Sequence, residues 1–454
     1  MISCSHPPTS MLTRTAPRAQ SKLGWLTNQF MASLRTWGDV HVTIATEFDP
    51  AGASFEDVYA SLRRARAEQP IFFSEKYNVW VVTRYDDILR VLRDENLTVK
   101  GALEAVQSGG YCPEARAVLA EGVDWTRTGH VQSDDGPDHA RFRNALRSVL
   151  TAKRFAAMEP TVRKTATALV DGFIERGRCE FVGEFAYPLA MLTTLNLVGF
   201  EEAQQDMEQF RVWITDTFKM LLAAMSPDEQ VTAARNAVAF QHYIREKIAR
   251  RRAHPSNDLM SEILENLSTG KAQLTEDELV IMFTHSFVGA GQETTKLALT
   301  NMMYQLLSRP ERWEEAKRHP DRLGSIVEES LRFDPPLLVW FRVCARDTEV
   351  AGVPIRQGER VAMVLGSGNH DEARFDRADE FCPFRETTSP HLTFSTGKHF
   401  CVGAPLARLE LNVALQELTA RLPDLRLAPG QDISYVPNLG HRLLPRLELE
   451  WGAR

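Results

Sequence analysis

A lone cysteine placed just ahead of a helix is the residue of this chain best situated to do chemistry. In Phe394-Ser395-Thr396-Gly397-Lys398-His399-Phe400-Cys401-Val402-Gly403 the thiol precedes a helical pattern running from Ala404 to Leu422. Backbone N–H groups and the positive end of a helix favour the thiolate, the form that binds metals. Gly397 and Gly403 let the backbone turn sharply and approach a flat group. Most lone cysteines are small buried hydrophobes, so the neighbours of Cys401 must carry the case. A second candidate is Ala290-Gly291-Gln292-Glu293-Thr294-Thr295, which sets a carboxylate beside a hydroxyl in mid-helix. Glycine inside a helix costs about 1 kcal/mol relative to alanine. Gly289 and Gly291 therefore mark either close helix packing or a bulge that widens the helix. Third, Glu329 and Arg332 share one helical face, a pairing that contributes little when exposed to solvent.

The elements that position these groups are mostly helical, with a little sheet near each end. Apolar spacing predicts helices over 55–69 and 85–93, with short strands at 71–74 and 79–83 between them. From Asp94 to Asp134 periodicity weakens around Gly109, Gly110 and Pro113, which reads as a long functional loop. Helices dominate from Pro137 to about Pro310. Thr275 and Glu278 form a capping box that opens a long helix reaching about Ser308. A helix over 321–333 stops before Pro335-Pro336, and short strands follow around Gly352 and Gly358. A Pro-punctuated, aperiodic segment spans 369–390.

Composition fits a folded chain of 454 residues, 43% hydrophobic and 25% charged, which excludes collagen-like, wholly disordered and disulfide-scaffold classes. The formal net charge of −7 gives no reason to expect nucleic acid or an anionic membrane as partner. Six cysteines lack the close paired spacing of a zinc ribbon, and their scatter suits a reducing, cytoplasmic compartment. The best apolar run, 189–200, is broken by Thr193, Thr194 and Asn196 and falls short of the ~20 residues a membrane span needs. Residues 1–44 are expected to be a disordered or loosely packed arm, and 45–454 a single domain. A transit-like leader and an upstream start codon ahead of Met31 are the other readings of the arm.

The cysteine segment resembles the haem-binding loop of the cytochrome P-450 superfamily, Phe-x-x-Gly-x-basic-x-Cys-x-Gly, at every fixed position. Average residue usage would produce such a match on the order of 10⁻⁴ times per chain. One departure is Ser395, where relatives often carry glycine; another is Gly136, where they often carry proline. Other motifs follow the family's order from about Asp49 onward. The resemblance implies a mainly α fold with a small β region, a helix-rich triangular prism. Haem b would lie between the long helix bearing Thr294 and the helix after Cys401, with Cys401 as the thiolate ligand to iron and Phe394 and Gly403 in its loop. It implies that Glu329 and Arg332 form a buried pair with Arg385, holding that loop under the haem. His139, Arg143, Arg342 and His399 would meet the haem propionates. Ala290 and Gly291 would line an oxygen groove in which Thr294 hydrogen-bonds bound dioxygen and Glu293 links it to solvent protons. Ser286, Phe287, Leu337, Leu338, Val339, Trp340 and Leu439 would line a mainly apolar substrate pocket, whereas helical geometry turns His285 away from the Thr294 face.

The expected activity is that of a haem-thiolate monooxygenase inserting one atom of O₂ into a small, largely apolar molecule, by hydroxylation. NAD(P)H electrons would arrive through a separate ferredoxin and its reductase, or a flavodoxin-type donor, serving a monomeric enzyme. Carbon–carbon coupling, dealkylation or N-oxidation by the same oxidant is the first alternative, and a non-catalytic haem sensor or scaffold the second. An intact Glu293–Thr294 pair separates the enzymes from the sensor, which needs no proton relay.

Overall fold

The computed structural model describes residues 44–49, 55–102, 110–125, 128–200, 205–222, 225–386, 390–436, 438 and 440–452. Apart from Ile44, the expected N-terminal arm lies outside the described residues. The predicted helices stand at Phe55–Glu68 and Tyr85–Arg93. The second places Asp86 and Asp87 at its positive end and Arg90 and Arg93 at its negative end, as the helix dipole favours.

One five-stranded sheet runs from the hairpin Ile71–Ser74 and Val79–Val82 through Arg360–Met363 and Trp340–Cys344 to the edge strand Leu97–Thr98. The Val79–Val82 strand is parallel to Arg360–Met363, and Trp340–Cys344 is antiparallel to it, with Arg342 opposite Val361. Two smaller sheets join Arg178–Glu180, Glu448–Glu450 and Arg426–Leu427, and Thr348–Val350 with Val353–Ile355. Everything else of consequence is helical.

The long helix begins with the predicted capping box. Thr275 Oγ1 accepts from the Glu278 N–H at 3.2 Å, and the Glu278 carboxylate accepts from the Thr275 N–H at 2.7 Å. It runs as regular α-helix over Glu276–Ile281, widens to a π-helix over Met282–Gly289, and resumes as α-helix over Ala290–Leu307. Leu299, Met302, Met303 and Leu306 pack in one buried cluster with Phe181, Phe185, Leu189, Leu411, Leu415 and Leu418. Each such side chain stabilises the fold by roughly 1.5–3 kcal/mol, so the helix bearing Thr294 and the helix Ala404–Arg421 are held in fixed relation. No helix among the described residues is long and apolar enough to cross a membrane.

The stretch read as a loop over 94–134 contains a helix, Pro113–Leu119. Pro113 sits at its first position, and Cys112 Sγ accepts from the Ala115 N–H at 3.4 Å. Two turns offer too few apolar positions for a period to show in sequence, and its stability comes from packing on Pro227–Ala253.

Candidate active site

Two cavities, of about 360 and 260 Å³, share Val99, Gln132, Ala290, Thr294, Leu337 and Trp340 in their walls and so adjoin. Cys401 and Gly403 form part of one wall of the smaller cavity, and Ala290, Gly291, Thr294 and Thr295 come to it from the long helix. The Cys401 loop is pinned by its own N–H donating to the Phe394 carbonyl at 2.9 Å. Ser395 and Gly397 adopt φ of +59° and +67°. Glycine suits position 395 because the backbone is left-handed there, and small size is not the reason; serine holds that conformation at a cost of roughly 1–2 kcal/mol. Gly136 likewise has φ of +62°, an angle proline cannot adopt.

The Cys401 residue is exposed only in the sense that it opens onto this internal cavity. Burial pushes its thiol pKa up, while the N–H groups of Gly403 and Ala404 and the guanidinium groups of Arg143 and Arg408 oppose the rise. Coordination to a metal deprotonates such a thiol outright. A Cβ on Gly403 would lie 3.9 Å from Cys401 Sγ, in ordinary contact with it in the wall of this cavity.

The same cavity has a cationic rim. Arg342 is 3% exposed, and among the described residues its one hydrogen bond is from Nη1 to the Phe341 carbonyl at 2.8 Å. Burial lowers its pKa to about 10. A buried guanidinium without a carboxylate is costly and calls for an anion in the adjoining space. Arg143 donates from Nη2 to the Phe400 carbonyl at 2.6 Å, but its Nε is buried without a partner. His139 is buried too, its Nε2 unpartnered and its ring centroid 4.2 Å from that of His399. Burial, then His399 and Arg143, lower the His139 pKa to about 4. His399 is not free: its Nε2 lies 2.9 Å from Asp135 Oδ1. Burial works against the Asp135 charge, but bonds from His399, Lys398 and Thr98 hold its carboxyl well below the usual range. Haem, an acidic flat ring, fits this donor set.

On the facing helix, the widening expected near Gly291 lies just before it, ending at Gly289. A Cβ on Gly289 would come 3.0 Å from the Thr284 carbonyl, and one on Gly291 would come 3.2 Å from Thr194 Oγ1. Both the bulge and close packing therefore account for the glycines. Thr294 lines both cavities and donates from Oγ1 to the Ala290 carbonyl at 2.9 Å. Glu293 is 6% exposed, pairs with Lys296 Nζ at 2.7 Å, and is absent from both cavity walls. The two members of the expected relay stand side by side in sequence but are not hydrogen-bonded to each other.

Behind the cysteine loop, Glu329 is clamped from two sides. Arg332 donates to both its oxygens at 2.8 and 2.9 Å, and Arg385 does so at 3.0 and 3.2 Å. The Cys382 N–H adds a bond at 2.8 Å. Arg332 also donates to the carbonyls of Asn369, Ala378 and Glu380, and Arg385 to those of Asp376, Arg377 and Glu380. Residues 370–385 form no helix or strand, and these two guanidinium groups bind several of their carbonyls instead.

Of the expected pocket residues, Ser286 and Phe287 line the smaller cavity, and Leu337 and Trp340 line both. Leu338 and Val339 do not; both are buried in the apolar cluster with Phe72, Val81 and Phe341. Leu439 lies outside the described residues. His285 is a correction: it lines the larger cavity, since the π-helical turn upsets the 3.6-residue spacing used to turn it away. Trp125, His130 and Gln132 also reach that wall from the segment where periodicity was weak. Glu410, buried with its pKa pushed well above the usual carboxyl range by burial, lines the smaller cavity. Its helical register with Gly403 and Ala407 was the available signal.

Comparison with known proteins gives the same reading. The family model described as Cytochrome P450 matches residues 71–433. Cytochrome P450 107B1 of Saccharopolyspora erythraea is 32% identical over 397 residues, covering 84% of this chain and 92% of that protein. A steroid C26-monooxygenase of Mycobacterium tuberculosis is 31% identical, covering 86% and 94%. Among solved structures, the CYP116B5 heme domain of Acinetobacter radioresistens superposes with a TM-score of 0.83 at 29% identity, covering 93% of this chain and 100% of that one. A cysteine loop and a widened helix across one cavity, a cationic rim, and relatives along most of the length agree: the chain belongs to the cytochrome P450 family.

Proposed function

We propose that this cytochrome P450 is a monooxygenase that hydroxylates a small, largely apolar molecule, with Cys401 as the thiolate that would hold the iron of haem b. The observation that carries the reading is the placement of Cys401 and Thr294 in one cavity lined also by Arg143, Arg342 and His399, the last with its ring against that of His139. When bound, haem supplies O₂ activation with NAD(P)H electrons delivered by partner proteins, the thiolate favouring O–O cleavage. Cys401 would hold the iron while Gly403 leaves room beneath the ring. Arg342 and Arg143 would bind the propionates, with His139 donating from Nε2; His399 would contribute through its contact with His139 while Asp135 orients it. Thr294 would move its hydroxyl proton from the Ala290 carbonyl into the cavity, and Glu293, released from Lys296, would replenish it from solvent. We assign a ferredoxin and its reductase as the electron source and a monomer as the working form. Lys398, 46% exposed in the cysteine loop though paired with Asp135 at 2.8 Å, suits an acidic one-electron carrier.

Arg342→Gln should retain haem poorly. A hydrogen bond to a charged group contributes about 1.5–3 kcal/mol, so haem transfer to a scavenger protein should accelerate roughly ten- to a hundredfold. An unchanged transfer rate would remove Arg342 from the propionate site. Thr294→Ala tests the catalytic reading. Folding, haem content and ligand-induced spectral shifts should persist, because only one hydroxyl and one methyl group are lost. NAD(P)H oxidation should continue while product per NAD(P)H falls and hydrogen peroxide rises to match. Unchanged coupling, measured with any oxidised substrate, would place the proton path elsewhere.

A further inference from the structure

The larger cavity is mostly apolar, yet two residues of its wall each carry a buried side-chain nitrogen with no partner among the described residues. Trp125 is 6% exposed, and its indole Nε1, a donor only, makes no hydrogen bond. His285 stands against it, ring centroids 5.5 Å apart, and its Nε2 is buried and unpartnered. The tautomer of His285 follows from its neighbour. Thr284 Oγ1 lies 2.9 Å from the Val280 carbonyl and 3.3 Å from that of Ile281, so its single proton is engaged there. His285 Nδ1, 2.9 Å from the same Oγ1, must then be the donor of that contact, which leaves Nε2 bare as an acceptor. His130, stacked on His285 at 6.0 Å, accepts from the Gln132 N–H through its own Nδ1. Burial depresses both histidines, to about 4 for His130 and about 3 for His285, so neither offers a cation near neutral pH.

One orphaned donor and one orphaned acceptor on adjoining rings of a single cavity wall call for a ligand atom that can do both. We infer that Trp125 and His285 anchor a neutral hydroxyl group of the substrate, the oxygen accepting from the indole N–H and donating to the imidazole Nε2. An ether or ketone oxygen would satisfy only Trp125, and a carboxylate would be repelled by the bare lone pair of His285 Nε2, the cation in the described lining, Arg116, being an exposed residue. His285 precedes Thr294 by nine positions on the same helix, a rise of roughly 13 Å. The substrate class is thus an elongated apolar alcohol, held by its hydroxyl and oxidised toward the other end. This inference rests on the proposed function for the oxidation, but the anchor itself is a binding claim.

The test is calorimetric titration of the haem-loaded protein with 1-decanol, with its methyl ether and with decanoate. The alcohol should bind about tenfold more tightly than the ether and far more tightly than decanoate. His285→Phe should weaken the alcohol about tenfold and leave the ether unchanged, whereas Trp125→Phe should weaken both. Equal affinity of the wild type for alcohol and ether would mean that water alone satisfies the two rings, and would overturn the anchor. So would equal losses for both ligands in His285→Phe. Binding is read without turnover, so an inactive protein that still discriminates alcohol from ether would contradict the oxidation and leave the anchor standing.

Discussion

Glu329→Ala is expected to yield little or no haem-loaded protein. Removing this carboxylate leaves Arg332 and Arg385 facing each other with side chains 2% and 7% exposed. Breaking a buried pair by deleting one partner typically costs about 3–5 kcal/mol, against a total stability of roughly 5–15 kcal/mol for a domain. The loss falls where it matters, because the two guanidinium groups tie down the irregular chain over 376–380 and position the segment ahead of Cys401. Burial alone would raise the Glu329 pKa, yet the bonds from Arg332 and Arg385 outweigh it and hold the carboxyl low. A lowered folded-state pKa means that the stabilisation is complete above the ordinary carboxyl range and fades as pH falls through the folded value. Haem content after purification and the thermal midpoint measure the effect together. Wild-type values of both in the variant would show the pair to be dispensable.

Much of this arrangement was legible in the residues themselves. The Thr275–Glu278 capping box and the helix Tyr85–Arg93 follow from local spacing, and the convergence of Glu329, Arg332 and Arg385 from the family resemblance. What escaped reading did so for identifiable reasons. His285 was turned the wrong way because a π-helix changes the angular step of the helix; the glycines marked a possible bulge but not that it extends back over Met282–Gly289. Leu338 and Val339 read as pocket because an apolar run gives no sign of which face meets a cavity and which meets the core. Trp125 and His130 went unnoticed because their segment has no period, and only the packed structure brings them beside His285. The pairing of Asp135 with His399 spans 264 residues, a distance over which sequence spacing carries no information.

The account depends most on Cys401 as the group that holds the haem iron. The direct measurement is the absorbance spectrum of the reduced, CO-bound protein, in which an axial thiolate shifts the Soret band to the red. Wild-type protein should show that band, and Cys401→Ser should lose it, because a serine oxygen does not replace thiolate donation. Cys344→Ser and Cys382→Ser serve as controls. Cys344 is 1% exposed in the sheet, its thiol donating to the Arg346 carbonyl at 2.9 Å, and Cys382 meets Glu329 through its backbone N–H. Both should keep the shifted band. A Cys401→Ser protein that retains it, or a wild-type protein that never shows it, would contradict the assignment of Cys401 as the thiolate ligand.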